Sequence, residues 1–159
     1  MSLKEFHARL KSKDIIFENI QDKVKVLMFH RKWLNAFVGA ANTDYFLGAQ
    51  FLWDIFCTGQ IDFFEKQKAT DLFQAINKTE CFVFTQNDNI LYYLKNIRQL
   101  SADDIIGLQD VYVTDRWLRW TYVVTHEICE GPYFCEQRLH NGAQQTTDLL
   151  TLYTQDDRA

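Results

Sequence analysis

The spacing of apolar residues changes near residue 80, and this change constrains the fold more than any other feature of the chain. Before it, apolar residues recur at the three- and four-residue spacing of helices, and after it come short apolar runs and one long alternating segment. Helices followed by strands with short turns between them indicate an α+β fold. We expect an antiparallel sheet of four to five strands in the C-terminal half, covered on one face by the N-terminal helices.

Four helices are predicted in the first half of the chain. The first begins with a capping box, in which the side chains of Ser2 and Glu5 satisfy free backbone amides. Asp22 can cap the second helix, and Gly39 ends it. The third helix is the most apolar and is expected to lie at the centre of the core. The predicted helices span residues 2–11, 22–38, 45–57 and 65–77.

The second predicted helix is apolar on two opposite faces. At 100° per residue, one face carries Val24, Leu27, Met28, Leu34 and Val38, and the other carries Val26, Phe29, Trp33 and Phe37. Such a helix either packs between two layers of the protein or shows one face to a partner. We expect the packed arrangement.

The second half of the chain is expected to form strands. A buried run at residues 81–84, a segment at 90–94 that is either a strand or a helical turn, and strands at 110–114, 117–127 and 133–138 follow one another, with a short helix from Ser101. The segment 117–127 alternates in polarity. Its face with Trp120 and Tyr122 is the more apolar and should meet the helices, which would leave the face with Trp117 and Arg119 outside.

Composition limits the domain count and the compartment. A chain of 159 residues with one proline and six glycines shows no linker or repeat, so we expect one domain at 1–138 and a partly ordered or frayed extension at 139–159. Four cysteines without an apolar leader are typical of reduced thiols in the cytoplasm. The net charge of −4 and the lack of a long apolar run argue against nucleic-acid and membrane partners.

No strong catalytic or metal-binding motif is present. The sequence lacks a phosphate loop, a dinucleotide-binding glycine pattern, a zinc-protease helix motif and a nucleophile elbow. Zinc ligation by His126, Cys129 and Cys135, with Cys57 or Cys81 as a fourth ligand, is a weak candidate because only one close ligand pair exists. A Cys129 nucleophile with His126 as its base, and acid–base work by Glu127 with Asp54, Asp115 or Glu130, are weaker still. We assign no cofactor and no metal.

Recognition by aromatic residues is the stronger expectation. Trp117, Arg119, Trp120 and Tyr133 lie on neighbouring predicted strands, and Trp, Tyr and Arg dominate binding hot spots. If the face away from the helices is free, Trp117, Arg119 and one of Tyr133 and Phe134 form an exposed patch for a protein partner. The alternative is that further chain, such as the C-terminal extension, covers that face.

Several strings together resemble a family of small bacterial proteins known as domain of unknown function 4275. They are FLWDIF at 51–56, ECFVF at 80–84, DVYVTD at 110–115, WTYVVTHE at 120–127 and GPYF at 131–134. The resemblance covers roughly residues 20–138. It implies a bacterial, cytoplasmic, single-domain protein, and it implies no activity, cofactor or catalytic residue.

Two functions are therefore carried forward from the sequence. The first is a non-catalytic protein-binding module, with an immunity-type inhibitor of a toxin as one version, since an acidic surface would steer toward a basic partner. The second is a small-ligand binder or hydrolase-like enzyme. Its site would bring together His126, Glu127, Cys129 and Asp54. The oligomeric state is left open.

Overall fold

The structure, a computed structural model, describes residues 1–87, 89–127, 129–137, 148, 149 and 153. Its helices are α1 (Leu3–Ser12), α2 (Lys23–Val38), α3 (Ala40–Leu47), α4 (Lys66–Ala75) and α5 (Ala102–Ile105), with a 3-10 helix at Leu52–Cys57. Its strands are β1 (Ile16–Asn19), β2 (Phe64–Glu65), β3 (Glu80–Thr85), β4 (Leu91–Lys95), β5 (Val111–Thr114), β6 (Trp120–Val124) and β7 (Tyr133–Glu136). The α+β class, with helices ahead of most strands, is confirmed.

The helix starts follow the predicted caps. The Ser2 hydroxyl accepts from the amide of Glu5, whose carboxylate accepts from the Ser2 amide in return. The Asp22 carboxylate accepts from the backbone amides of Val24 and Lys25, and Gly39 ends that helix at a φ of 83°. Among the described residues, no helix combines the length and the apolar character needed to span a bilayer.

One antiparallel sheet holds all seven strands, in the order β1-β4-β3-β5-β6-β7-β2. The prediction of four to five strands missed the two edges. Both edge strands come from the N-terminal half, where β1 pairs with β4 and β2 pairs with β7. These strands are four and two residues long, respectively. Each is too short to show the alternation of apolar and polar residues by which a strand is recognised in a sequence.

Helices cover both faces of the sheet, which corrects the prediction of one covered face. One face packs against α2, α3 and the 3-10 helix through residues such as Phe82, Phe84 and Tyr112. The other face packs against α1, α4 and α5 through residues such as Val83, Val113 and Tyr122. Strands β3, β5 and β6 are consequently buried on both sides, as near-continuous apolar runs predict.

The predicted helix at 45–57 is wrong as one continuous element. Helix α3 stops at Leu47, and the chain is extended at Phe51 before the 3-10 helix begins. The Gln86 side chain fills this break, because its oxygen accepts from the Leu52 amide at 2.6 Å and its nitrogen donates to the Gln50 carbonyl at 3.0 Å. A distant side chain thus supplies backbone partners that a continuous helix would have supplied itself.

Strand β6 is shorter than the predicted segment 117–127. The Asp115 carboxylate accepts from the backbone amide of Arg119 at 2.6 Å, which holds residues 115–119 in a turn. Leu118 sits in this turn with a φ of 55°. The strand therefore begins only at Trp120, and the hairpin end is a folded loop instead of an extended ribbon.

Two described residues of the C-terminal segment belong to the core. Leu149 and Tyr153 are buried against the α2 side of the sheet, and the Tyr153 ring lies 5.6 Å from the ring of Phe29. The rest of the predicted extension at 139–159, apart from Asp148, lies outside the described residues. The two packed side chains help to seal the sheet face that the sequence left open.

Candidate functional site

The residues predicted to form a site fall at opposite ends of β6. Trp117, Arg119 and Trp120 lie at the β5–β6 hairpin, whereas His126 and Glu127 follow the other end of the strand. The structure therefore splits the predicted residues into two separate neighbourhoods. A third feature, the outer side of α2, adds exposed apolar residues.

His126 forms a fixed pair with Asp110. The Asp110 carboxylate, largely buried, accepts from His126 Nδ1 at 2.9 Å, from the His126 backbone amide at 3.2 Å and from Trp53 Nε1 at 2.9 Å. Three donors on one carboxylate fix its position, and the carboxylate in turn orients the imidazole. The hydrogen bond to Asp110 raises the pKa of His126.

Aromatic rings support the His126 imidazole. The Phe51 ring lies 4.9 Å from it and stacks on the Trp53 indole at 5.0 Å. Since Nδ1 is committed to Asp110, Nε2 is the nitrogen left for another partner. Its nearest carboxylate is that of Glu127, at 3.8 Å. The arrangement can present one oriented N–H or lone pair at an aromatic, acidic edge.

No activated thiol accompanies this histidine among the described residues. Burial and, after it, nearby carboxylates raise the pKa of the Cys57 thiol, which keeps the thiol protonated. Those carboxylates belong to Glu130, Asp54 and Glu127. Cys129 is exposed, and no hydrogen bond joins it to His126. The Cys129–His126 nucleophile expected as a weak candidate is therefore not assembled.

The candidate zinc ligands are also dispersed. Cys135 is buried and its thiol donates to the Asp62 carbonyl at 3.4 Å, whereas Cys129 is exposed. Within the ranges that the structure describes, no three His, Cys, Asp or Glu side chains converge in a way that could hold a metal ion. Tyr133, predicted as part of the aromatic binding patch, is a core residue instead, because it is buried and its ring stacks on that of Phe56 at 4.6 Å.

The hairpin end differs from the exposed patch that the sequence predicted. Trp120 is buried, Trp117 is half-buried under the Arg116 guanidinium at 4.6 Å, and Arg119 pairs with Asp115 at 2.6 Å. The outer face of β6 is closed by α2, where Trp33 Nε1 donates to the Thr121 hydroxyl at 3.0 Å. The predicted docking face on the sheet is therefore wrong, because helices cover both sides.

Helix α2 carries exposed apolar side chains of the kind that the sequence had predicted on the sheet. Val24, Leu27 and Met28 are 68%, 58% and 48% exposed, respectively. Leu34, which the sequence placed on the same face, is buried, and α3 packs against α2. The sequence correctly indicated that α2 is apolar on two faces. The prediction that both faces pack inside the protein holds only for the C-terminal half of the helix.

These features define an α+β protein with a seven-stranded antiparallel sheet between two helical layers and an exposed apolar row on one helix. The chain belongs to the family described as Domain of unknown function (DUF4275), whose family model matches residues 4–134. No curated protein and no solved structure matches the chain.

Proposed function

We propose that this protein is a non-catalytic protein-binding module whose partner docks on the outer face of α2. The observation that carries the proposal is the exposed row of Val24, Leu27 and Met28, followed one turn later by Arg31. Positions i, i+3, i+4 and i+7 form one stripe of a helix, which is the spacing that a partner helix or groove contacts. Within the residues that the structure describes, none of these three exposed side chains belongs to the buried core.

Charge favours an acidic partner over a second copy of the chain. Helix α2 contains four cationic residues and no carboxylate: Lys23, Lys25, Arg31 and Lys32, of which Arg31 pairs with Asp44 of α3 at 2.8 Å. A symmetric dimer through this face would bring two basic helices together, which costs energy. The net charge of the whole chain predicted a basic partner, whereas this local basic surface suits an apolar segment flanked by Asp and Glu.

The narrower version of the proposal is an immunity-type inhibitor in the bacterial cytoplasm. Four free cysteines, and a family resemblance that implies bacterial proteins, support that setting. In this version the partner is a toxin that carries the acidic apolar segment. The α2 face would act by covering a functional surface of the toxin, and no catalytic group of this chain is needed.

Replacement of Leu27 by Asp is expected to weaken partner binding at least about tenfold, because an unpaired charge would be buried at the apolar contact. The same change should leave folding intact, since Leu27 is mostly exposed. The measurement is quantitative capture from a bacterial lysate, combined with a photo-crosslinking residue at Met28 to identify the contacted segment. We expect one crosslinked partner with a segment rich in apolar and acidic residues.

Ile106 provides the matched control, because it is 54% exposed and directly follows α5, the helix that packs against the opposite face of the sheet. Ile106→Asp should leave capture unchanged, and a crosslinker at Ile106 should give no specific product. Equal yields at both positions would refute the proposal. Products that contain only a second copy of the chain, or binding to anionic lipid vesicles in place of protein, would also refute it.

A small-ligand or hydrolase-like function at His126 is the second candidate. The pairing of His126 with Asp110 favours it, because an oriented imidazole is the common general acid or base of enzymes. Its acidic and aromatic surroundings suit a cationic or polar ligand. Among the described residues, no nucleophilic side chain contacts His126 Nε2, as a hydrolase of this kind would require.

The His126–Asp110 pair makes a direct pH prediction. The pKa of His126 should lie above the ordinary 6.5 and should fall in an Asp110→Asn variant, which removes the negative charge but keeps the shape. Stability from this pair is present below the unfolded pKa and is lost as the pH rises through the higher folded pKa. NMR titration of the His126 Cε1 proton measures both values. A wild-type midpoint at or below 6.5 would contradict the geometry.

A further inference from the structure

A polar cleft of about 140 Å³ lies between the β5–β6 hairpin and the start of β3. Its walls are formed by residues 77–80, 115–117, 119 and 120. It is distinct from the α2 face and from His126, which lies at the other end of β6. A volume of this size holds a group of a few non-hydrogen atoms.

Lys78 is the unusual residue of this cleft. It is only 6% exposed, and burial lowers the pKa of its ammonium group. Its Nζ donates to the Phe73 carbonyl at 2.9 Å, near the end of α4, and lies 4.6 Å from the centre of the Phe73 ring. An ammonium has three N–H donors, so this contact leaves donors unused in a buried position.

The carboxylates near the cleft are already engaged by its arginines. Arg116 contacts Glu80 at 2.6 Å and Asp148 at 3.5 Å, and Arg119 contacts Asp115 at 2.6 Å. Within the part of the chain that the structure describes, no carboxylate contacts Lys78. Lys78 is therefore a buried cation whose charge is not matched, which is costly in a protein interior.

Arg116, which lines the same cleft, carries a second buried donor. Arg116 Nε is inaccessible to solvent and has no hydrogen-bond acceptor among the described residues. Buried donors without acceptors are rare in native proteins, and a missing ligand is one of their ordinary explanations. One small cleft is thus lined by two cationic side chains: Lys78, which no carboxylate contacts among the described residues, and Arg116, whose Nε lacks an acceptor there.

We propose that the hairpin cleft binds the carboxylate group of a small monoanionic organic acid. A carboxylate oxygen accepts from Lys78 Nζ, and its charge replaces the missing partner of that ammonium. Arg116 lines the same wall, and its guanidinium adds positive charge beside the bound carboxylate. A single negative charge suits the cleft better than two, because the Glu80 and Asp115 carboxylates also line it.

The test is a titration of the full chain with acetate and with propionate, followed by the ¹H–¹⁵N resonances of the Trp117 and Trp120 indoles. Both indoles line the cleft and report on its occupation. We expect saturable shifts with dissociation constants in the millimolar range, since such small ligands gain little binding energy. Lys78→Met should weaken this binding at least tenfold. Lys95→Met is the matched control, because Lys95 is a half-buried lysine whose charge is already paired with Glu18, and it should change nothing.

A measurement on the wild-type protein keeps the test valid if Lys78→Met fails to fold. Nuclear Overhauser contacts between the acetate methyl group and the Lys78 side chain should appear in the unmodified chain. Shifts that sodium chloride reproduces at equal ionic strength would overturn the proposal. So would tighter binding of inorganic phosphate than of either carboxylate, or an equal loss of binding in Lys78→Met and Lys95→Met.

Discussion

Replacement of Trp33 by Ala should lower the free energy of unfolding by about 4 kcal/mol, the largest effect expected of any single substitution discussed for this protein. Trp33 is fully buried on the inner face of α2. Its ring lies 5.1 Å from Tyr112 and 5.8 Å from Phe84, and its Nε1 donates to the Thr121 hydroxyl. Removal of the indole leaves a cavity between α2 and the centre of the sheet.

Urea unfolding measures this loss, and Leu27→Ala is the control on the same helix. Leu27 points outward and is 58% exposed, so its truncation should change stability by less than about 0.5 kcal/mol. Trp33→Phe should fall between the two, because it keeps most of the apolar contact and loses the hydrogen bond and a small part of the packing. The Thr121 hydroxyl would still donate to the Val113 carbonyl at 3.1 Å. Similar losses for Trp33→Ala and Leu27→Ala would show that α2 does not anchor the fold.

The contrast between buried Trp33 and exposed Leu27 determines whether α2 can bind a partner without losing its place in the fold. A helix that presents an apolar face to a partner must be held by its other face, or binding would compete with folding. Trp33, Phe29 and Val26 are buried at 0–1% exposure on that inner face. Leu27→Asp is therefore expected to separate binding from stability, whereas Trp33→Ala reduces both.

Local chemistry made the helix starts and the strand centres predictable. Ser2, Asp22 and Gly39 act within a few residues of their own positions, so their roles follow from the chain itself. The buried runs of β3 and β5 were likewise predictable, because both of their faces are apolar. These features need no information about distant parts of the chain.

Long-range contacts explain what the sequence could not show. The break before the 3-10 helix depends on Gln86, more than thirty residues from Leu52. The edge strands β1 and β2 are defined by their pairing with β4 and β7, and not by a pattern of their own. The covering of both sheet faces follows from where α1 and α4 pack, which local periodicity does not specify.

In the candidate sites, too, single residues could be predicted from the sequence but their long-range partners could not. The sequence singled out His126 but not Asp110, because the two residues meet only through the register that pairs Val111 with Val124. A correct register for the hairpin would have placed them side by side. Lys78 gave no signal in the sequence, since one lysine after a helix is ordinary, and only its burial beside a cleft makes it unusual.

Acid should destabilise the protein through His30, which lies on the inner side of α2. The imidazole is 6% exposed, its Nε2 has no hydrogen-bond partner among the described residues, and burial lowers its pKa from 6.5 to about 4. Between these two pH values the unfolded chain binds a proton on this ring and the folded protein does not. Stability from this group therefore falls as the pH drops below 6.5, and the loss is complete below about 4.

The expected loss from His30 is about 2 kcal/mol between pH 7 and pH 5, approaching about 3 kcal/mol near pH 4. His30→Leu should remove this component, so the difference in unfolding free energy between the variant and the wild type should grow by that amount on acidification. Urea unfolding at pH 7, 6 and 5 measures it. His126 is the internal contrast, because its pKa is raised and its contribution has the opposite pH dependence. A His30→Leu variant that loses stability in acid as steeply as the wild type would show that this imidazole is protonated in the folded protein, and α2 would then carry a fifth positive charge.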